Sequence, residues 1–376
     1  MAQAAGPPFA ASTLVRPSTT QLPAPAFSIN GRFYTQPVTG VQRYAREIVR
    51  EIDGLLVQQE KHARVILPPV TSGLPPFGAI ESQVAGGASG HTWEQAVLPA
   101  RAEAPILNLC NTGPLLARRQ IVCMHDENVF VEADSYSFVF RALYRLLLPG
   151  LARRGAIVTT VSHYSARQLA RHLAIEPGDI TVIHNGHEHA LRWDAGASFL
   201  PERMPLDRPF VLLLGSRARH KNAAFILRQA EVLDGLGLDL VVAGGSAPIF
   251  ARTEMVEARN IRRLGFVTDH DLAWLYANAL CLAFPSRAEG FGLPVVEAMA
   301  LGCPVVSSDR TCLPEICGGA ALLAGPDDAA AWQGHFQALL ASSTLRADLR
   351  GRGRERAATF SWRASAQAYL DLIARL

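Results

Sequence analysis

An α/β fold of two doubly wound domains facing each other across a cleft is what this sequence predicts, on three observations. From Phe27 onward, short β-rich runs alternate with longer helical patterns. Those runs are apolar throughout, as in parallel strands covered by helices on both faces. The length, 376 residues, exceeds one ordinary core and suits two domains of similar size.

Taken in order, residues 1–26 are rich in Ala, Pro, Ser and Thr without the basic start and apolar block of a secretory signal. They are expected to be a disordered leader. The first domain, 27–190, carries the strand candidates ARVILP, PILNLC, QIVCMHD, AIVTTVS and ITVIHN. Residues 191–208 are polar and Pro-containing without periodicity, and read as the interdomain linker. The second domain, 209–355, continues with FVLLLGS, DLVVAGG, IRRLGFV, LCLAFPS and CPVVSS, and a closing helix is expected over 356–376.

Composition excludes several classes. A net charge of +3 is too small to point to a nucleic-acid partner, and no apolar run has the length of a membrane span. The six cysteines form no Cys-x-x-Cys pair, and several lie in strand-like runs. A reduced cytoplasmic setting without disulfides or structural zinc is expected.

In open α/β sheets ligands bind beyond the carboxyl ends of the strands, so motifs between a strand and the following helix carry most weight. In AFPSRAEGFGLPVVEAMALG, a strand leads into a loop from Arg287 to Leu293, and Pro294 opens a helix that Gly302 ends. Gly290 and Gly292 allow close backbone approach, and the helix start offers free N–H groups to a diphosphate. Glu297, about one turn into the helix, is placed to reach a ribose hydroxyl, and Glu289 a second polyol. A Glu early in a helix is also favoured by the macrodipole alone, which accounts for neither Glu289 nor the paired glycines. In LLLGSRARHKN, Arg217 and Lys221 are the candidates to neutralise a leaving diphosphate. Arg219 and His220 read as solvated neighbours.

From the first domain, QIVCMHDENVF sets His125 at a strand end, suited to a sugar hydroxyl or to local backbone groups. NGRFYTQPVTGVQRYAREIV opens a helix at Gly40 whose amides face the same cleft. The histidines of HNGHEH (His184, His187, His189) surround a turn pair and lack the helical spacing of a metal site. FRALYRLLLPGLARRG suits either an anionic membrane surface or the first sheet, with Pro149-Gly150 expected to interrupt any long helix.

These segments together resemble the retaining GT-B glycosyltransferases of family 4. EGFGLPVVE is similar to their E-x7-E signature and GSRARHKN to their basic donor loop. TVSHYSARQL with ITVIHNG resembles the end of their first domain, and FSWRASAQAYLDLI the closing helix, whose Trp362 region packs back on that domain. The resemblance covers nearly all of 27–376. It implies a nucleotide diphosphate sugar as donor, a saccharide or lipid-linked saccharide hydroxyl as acceptor, and neither cofactor nor metal. Glu297 would take the ribose, Glu289 the transferred sugar, and the amides of Gly290, Phe291, Gly292 and Leu293 the sugar and phosphates. Arg217 and Lys221 would hold the diphosphate, Val267 would lie near the base, His125 near the sugar, and Gly40 near the phosphate. In one departure, Ser216 follows the loop glycine where many members have Arg, and Arg217 comes one position later. The HKN loop leans the donor toward GDP-mannose. A cytoplasmic protein, with peripheral contact at the inner face of the membrane left open, is the matching location. Two alternatives remain: a nucleotide-sugar epimerase of the same fold, and a non-catalytic nucleotide-sugar-binding module.

Overall fold

The computed structural model describes residues 25–69, 74–127, 130, 138–205, 207–216, 218–244 and 258–376. The leader up to residue 24 and Arg217 therefore lie outside the described residues.

Two parallel sheets form the frame. The first contains β1 (Ser28–Asn30), β2 (Ala63–Leu67), β3 (Ile80–Val84), β4 (Ile106–Asn108), β5 (Gln120–Cys123), β6 (Ile157–Thr160) and β7 (Thr181–Val182), in the order 3-2-1-4-5-6-7. The second contains β8 (Phe210–Leu214), β9 (Asp239–Ala243), β10 (Ile261–Gly265), β11 (Cys281–Phe284), β12 (Val305–Ser308) and β13 (Leu322–Ala324), in the order 10-9-8-11-12-13. Each order reverses once, between β1 and β4 and between β8 and β11, and a reversal leaves a crevice at the carboxyl ends of the two strands. The sequence reading marks most of these strands, but not β3 or β13. Both are edge strands, and β3 buries only Ile80 while Glu81, Ser82 and Val84 are exposed, so it lacks the continuous apolar run.

The helix Gly40–Gln58 buries Tyr44, Ile48, Val49, Ile52, Leu55 and Leu56, a stripe at helical spacing, against β-strand residues such as Ile29 and Val65 of one core. On that same core lies the closing helix, Trp362–Ile373, joined to it by a 2.7 Å hydrogen bond between the hydroxyls of Tyr44 and Tyr369. Residues 356–358 complete the preceding helix, Ser343–Ala358, so the return crossing begins after them. Residues 190–203 of the connecting stretch are not featureless: they form two short 3-10 turns and a helical turn at Leu200–Arg203.

Pro149 does not interrupt its helix, contrary to the expectation. Phe138–Arg153 runs through it, because burial of Leu147, Leu148 and Leu151 around it outweighs the one backbone bond that Pro149 cannot donate. Its Tyr144, Leu147, Leu148 and Leu151 are buried over Val122 and Val158, whereas Leu143 and Leu146 are 40% and 77% exposed. No helix among the described residues is long and apolar enough to cross a membrane. All six cysteines are free, and all but Cys110 are buried.

Candidate active site

The reversal between β8 and β11 brings the two strongest sequence motifs together. β8 pairs with β11 (Leu212 beside Leu282), so the loop after Leu214 and the loop after Phe284 leave neighbouring strand ends. A 2.7 Å backbone bond from Arg287 N to His220 O ties the two loops. Asn222, in the left-handed conformation (φ 55°), donates its amide to the carbonyls of Pro285 and Pro326 at 3.3 and 2.8 Å. The basic loop is thus a 3-10 turn, Arg219–Lys221, and the helix proper starts one residue after Asn222.

That frame aims Lys221 at Glu289. The ammonium Nζ donates to both carboxylate oxygens, at 2.6 and 2.8 Å, with the side chains 30% and 9% exposed. Beside the pair lies a cavity of about 90 Å³ lined by Gly215, Ser216, Lys221, Phe284, Ser286 and Pro294. Gly292, at φ +92°, turns the chain into the helix Leu293–Ala300. A Cβ on Gly292 would meet Leu313 at 2.8 Å, so both the backbone angle and the space require glycine. The first turn of that helix borders the cavity through Pro294, which puts a helix N-terminus, suited to anions, beside a cation.

Gly290 serves a contact that spacing alone does not reveal. A Cβ there would come within 2.3 Å of the carbonyl oxygen of His125, in the opposite domain. The Gly290 carbonyl accepts from the hydroxyls of Ser162 and Ser165 at 2.7 and 3.3 Å. The close backbone approach at this glycine is made to the other half of the cleft. It also places His125 beside the Glu289 loop. The imidazole of His125 is buried, with Nε2 2.9 Å from the Leu109 carbonyl and its backbone N–H on Asn111 Oδ1 at 2.8 Å.

Across the same cleft Arg43, one turn into the helix that Gly40 opens, makes a two-pronged ion pair with Asp269 (3.0 and 2.7 Å) and lies over the Trp193 ring. Gly40 is exposed, with open space where a Cβ would be. Val267 is half-buried against the core, and the side chain that stands out next to it is Phe266, 89% exposed.

Glu297 is 5% exposed, and its Oε1 is 2.9 Å from Nε2 of His189. Trp362, from the closing helix, donates its indole N–H to the other ring nitrogen of His189, also at 2.9 Å. Burial, and then the nearby Glu297, push the Tyr276 phenol well above its usual pKa, so that hydroxyl keeps its proton. His189 belongs to HNGHEH, whose spacing points to no partner for it. The three histidines turn to different partners: His184 to Glu315 at 3.5 Å, His187 Nδ1 to the Phe360 carbonyl at 2.7 Å, and His189 to Glu297.

Among the described residues one group could present metal ligands, His163, His184 and Glu315, with candidate atoms within 4.8 Å of one another. Both Glu315 oxygens already accept backbone N–H groups, from His163 at 2.9 Å and Tyr164 at 3.0 Å. Its carboxylate thus caps, across the cleft, the helix His163–Leu173.

Residues 198–356 match the family described as Glycosyl transferases group 1. O-antigen chain mannosyltransferase B of Escherichia coli is 47% identical over 102 residues, 27% of each chain. O-antigen chain mannosyltransferase RfbU of Salmonella typhimurium is 29% identical over 227 residues, 59% of this chain and 61% of that protein. GDP-mannose:cellobiosyl-diphosphopolyprenol alpha-mannosyltransferase of Komagataeibacter xylinus is 27% identical over 272 residues, 69% of this chain and 66% of that one. The chain thus spans less than two thirds of the length of each of these relatives. Among solved structures, sucrose-phosphate synthase from Thermosynechococcus elongatus superposes with a TM-score of 0.69 at 20% identity, covering 93% of this chain and 99% of that one. The fold is the two-domain GT-B architecture, and the residues that match the group 1 family span most of the second domain.

Proposed function

We propose that this GT-B chain is a retaining glycosyltransferase that moves mannose from GDP-mannose to a hydroxyl of a saccharide or lipid-linked saccharide acceptor. The observation that carries the reading is the Lys221–Glu289 pair, set beside a helix N-terminus at the strand-order reversal of the second sheet. That is where an open α/β sheet binds ligands, and the pair offers a cation and a polyol-binding carboxylate side by side. The group 1 match and the mannosyltransferase names of the relatives support the reaction class and the sugar.

In this reading Lys221 and the amides of Gly290 to Leu293 meet the diphosphate, helped by Arg217, and Glu289 accepts hydrogen bonds from the mannose hydroxyls. Glu297 takes the ribose, Val267 the neighbourhood of the base, and Gly40 the donor phosphate from the first domain. His125 lies toward the sugar. The bond from the anomeric carbon to the diphosphate oxygen breaks, one to the acceptor oxygen forms, and the acceptor hydroxyl gives up its proton, so the products are the glycoside, the nucleoside diphosphate and a proton. Charge developing on the leaving diphosphate is met by Lys221, a fixed cation that needs no rearrangement at that moment. The reading draws on no cofactor or metal.

A thermal-shift screen of GDP-, UDP- and ADP-sugars tests the donor, since a ligand that binds only the folded state raises its apparent stability. GDP-mannose is expected to give the largest shift, and a larger shift with UDP- or ADP-sugars would overturn the choice. Incubation with donor alone addresses the epimerase alternative, which requires an isomerised nucleotide sugar. Peripheral contact with an anionic membrane belongs to the same proposal. It rests on Leu143, Arg145, Leu146 and Arg153, all exposed on the helix Phe138–Arg153, and on exposed Arg154 directly after it. Cosedimentation with anionic vesicles that Leu146→Glu leaves intact would count against that surface.

A further inference from the structure

The HNGHEH stretch has a shape of its own once Trp362 is in place. A Cβ on Gly186 would come within 2.1 Å of the Trp362 backbone nitrogen. The Glu188 carboxylate accepts that same N–H, at 3.1 and 3.0 Å to its two oxygens. His189 then receives the Trp362 indole N–H on Nδ1 and faces Glu297 with Nε2. Three residues of one motif converge on one tryptophan, and the last of them reaches on to a carboxylate of the other domain.

Indole N–H is a donor only, so Nδ1 of His189 must be the acceptor, and the ring hydrogen sits on Nε2. Nε2–H therefore donates to Glu297 Oε1, and this direction is fixed by Trp362 rather than left to the ring. His189 is fully buried and wedged edge-on between the rings of Trp193 and Trp362, 5.3 and 5.7 Å away, so it has no freedom to turn. We propose that His189 is a positioning residue for donor recognition: held in one tautomer by Trp362, it fixes the rotation of the Glu297 carboxylate so that Glu297 can bind the donor ribose. The inference rests on the assignment of Glu297 to the ribose made above. It adds a task for the closing helix, which anchors the orientation of a donor-binding group as well as covering the first domain.

The test measures dissociation constants for GDP and UDP, each beside its 2′,3′-dideoxy counterpart, and uses the pair that binds wild-type protein. Wild type is expected to prefer the ribose form by about tenfold, the worth of a hydrogen bond to a charged group. Glu297→Gln and His189→Leu should both shrink that preference to within about twofold, while His189→Leu raises the KM for the donor more than it lowers kcat. His189→Gln should restore the preference, because its amide can donate to Glu297 and accept from Trp362. A wild type indifferent to the ribose hydroxyls, or one that binds neither nucleotide, overturns the reading of Glu297 itself. A wild type that discriminates, a Glu297→Gln that does not, and a His189→Leu that still does would overturn the role of His189 alone. Should His189→Leu fail to fold, Trp362→Phe carries the test. It frees the tautomer and should weaken the preference, and full retention there would equally refute the inference.

Discussion

Lys221→Ala probes the charge beside the cavity. In the free protein Nζ lies 2.6 and 2.8 Å from the oxygens of Glu289, and in the donor complex it would sit a comparable distance from the diphosphate. Two unit charges about 4 Å apart interact by about 4 kcal/mol at an effective dielectric of about 20. Lys221 is 30% exposed, so solvent screening reduces this, and about 2–3 kcal/mol is a fair expectation for the lost stabilisation of the leaving group. That corresponds to a fall in kcat of roughly 30- to 150-fold. Loss of the ion pair should cost the fold about 1 kcal/mol, a small shift in Tm for a chain of this size. Nucleotide release at saturating donor measures the first quantity and a thermal melt the second. Lys221→Arg keeps the charge but not the compact ammonium that spans both Glu289 oxygens, and should fall between the two. A Lys221→Ala protein with kcat within threefold of wild type, whatever its Tm, would refute the assignment of Lys221 to the diphosphate.

Two further changes test the contact between the domains. Burial alone would raise the Glu315 pKa, but His184 and the backbone N–H groups of His163 and Tyr164 outweigh it and hold the carboxyl below its ordinary range. Its stabilising contribution is therefore fully present above the unfolded-state pKa and is lost as pH falls through the depressed folded value. Glu315→Gln should cost about 1–3 kcal/mol at pH 7, with the gap to wild type closing in melts recorded at progressively lower pH below about 4; a gap independent of pH would contradict the role. Gly290→Ala should force the Glu289 loop from the His125 carbonyl, and a displacement near 1 Å is worth about a hundredfold in turnover. Unchanged kinetics in that variant would show that the domains need not approach this closely.

Local pattern made much of the fold readable. The apolar strand runs, the Gly40 and Pro294 helix starts and the Gly302 stop are all where the sequence places them, because each depends on neighbours a few residues away. Edge strands such as Ile80–Val84 are not legible in the same way, since most of that strand is exposed and its apolar run is broken. The helix through Pro149 was misjudged for the opposite reason: burial of Leu147, Leu148 and Leu151 outweighs a local breaker. Within the candidate site, Lys221, Glu289 and Glu297 were named from strand-end motifs alone. The role of Asn222, which locks the basic loop to the Glu289 loop, is not legible in the sequence because its partners lie 63 and 104 positions away.

The chain by itself determined the architecture and the chemical character of the second domain's cleft: a carboxylate pair eight residues apart, a basic loop, and a helix start between them. Tertiary structure alone decided what stands behind those groups. Gly290 touches His125, Glu315 caps a helix of the other domain, and Glu297 meets a histidine 108 positions away that is itself held by a tryptophan 173 positions farther on. Such contacts arise where two sheets and a returning helix pack together. Local spacing along the chain specifies the shape of each element, and only the packing of those elements specifies which of their side chains meet.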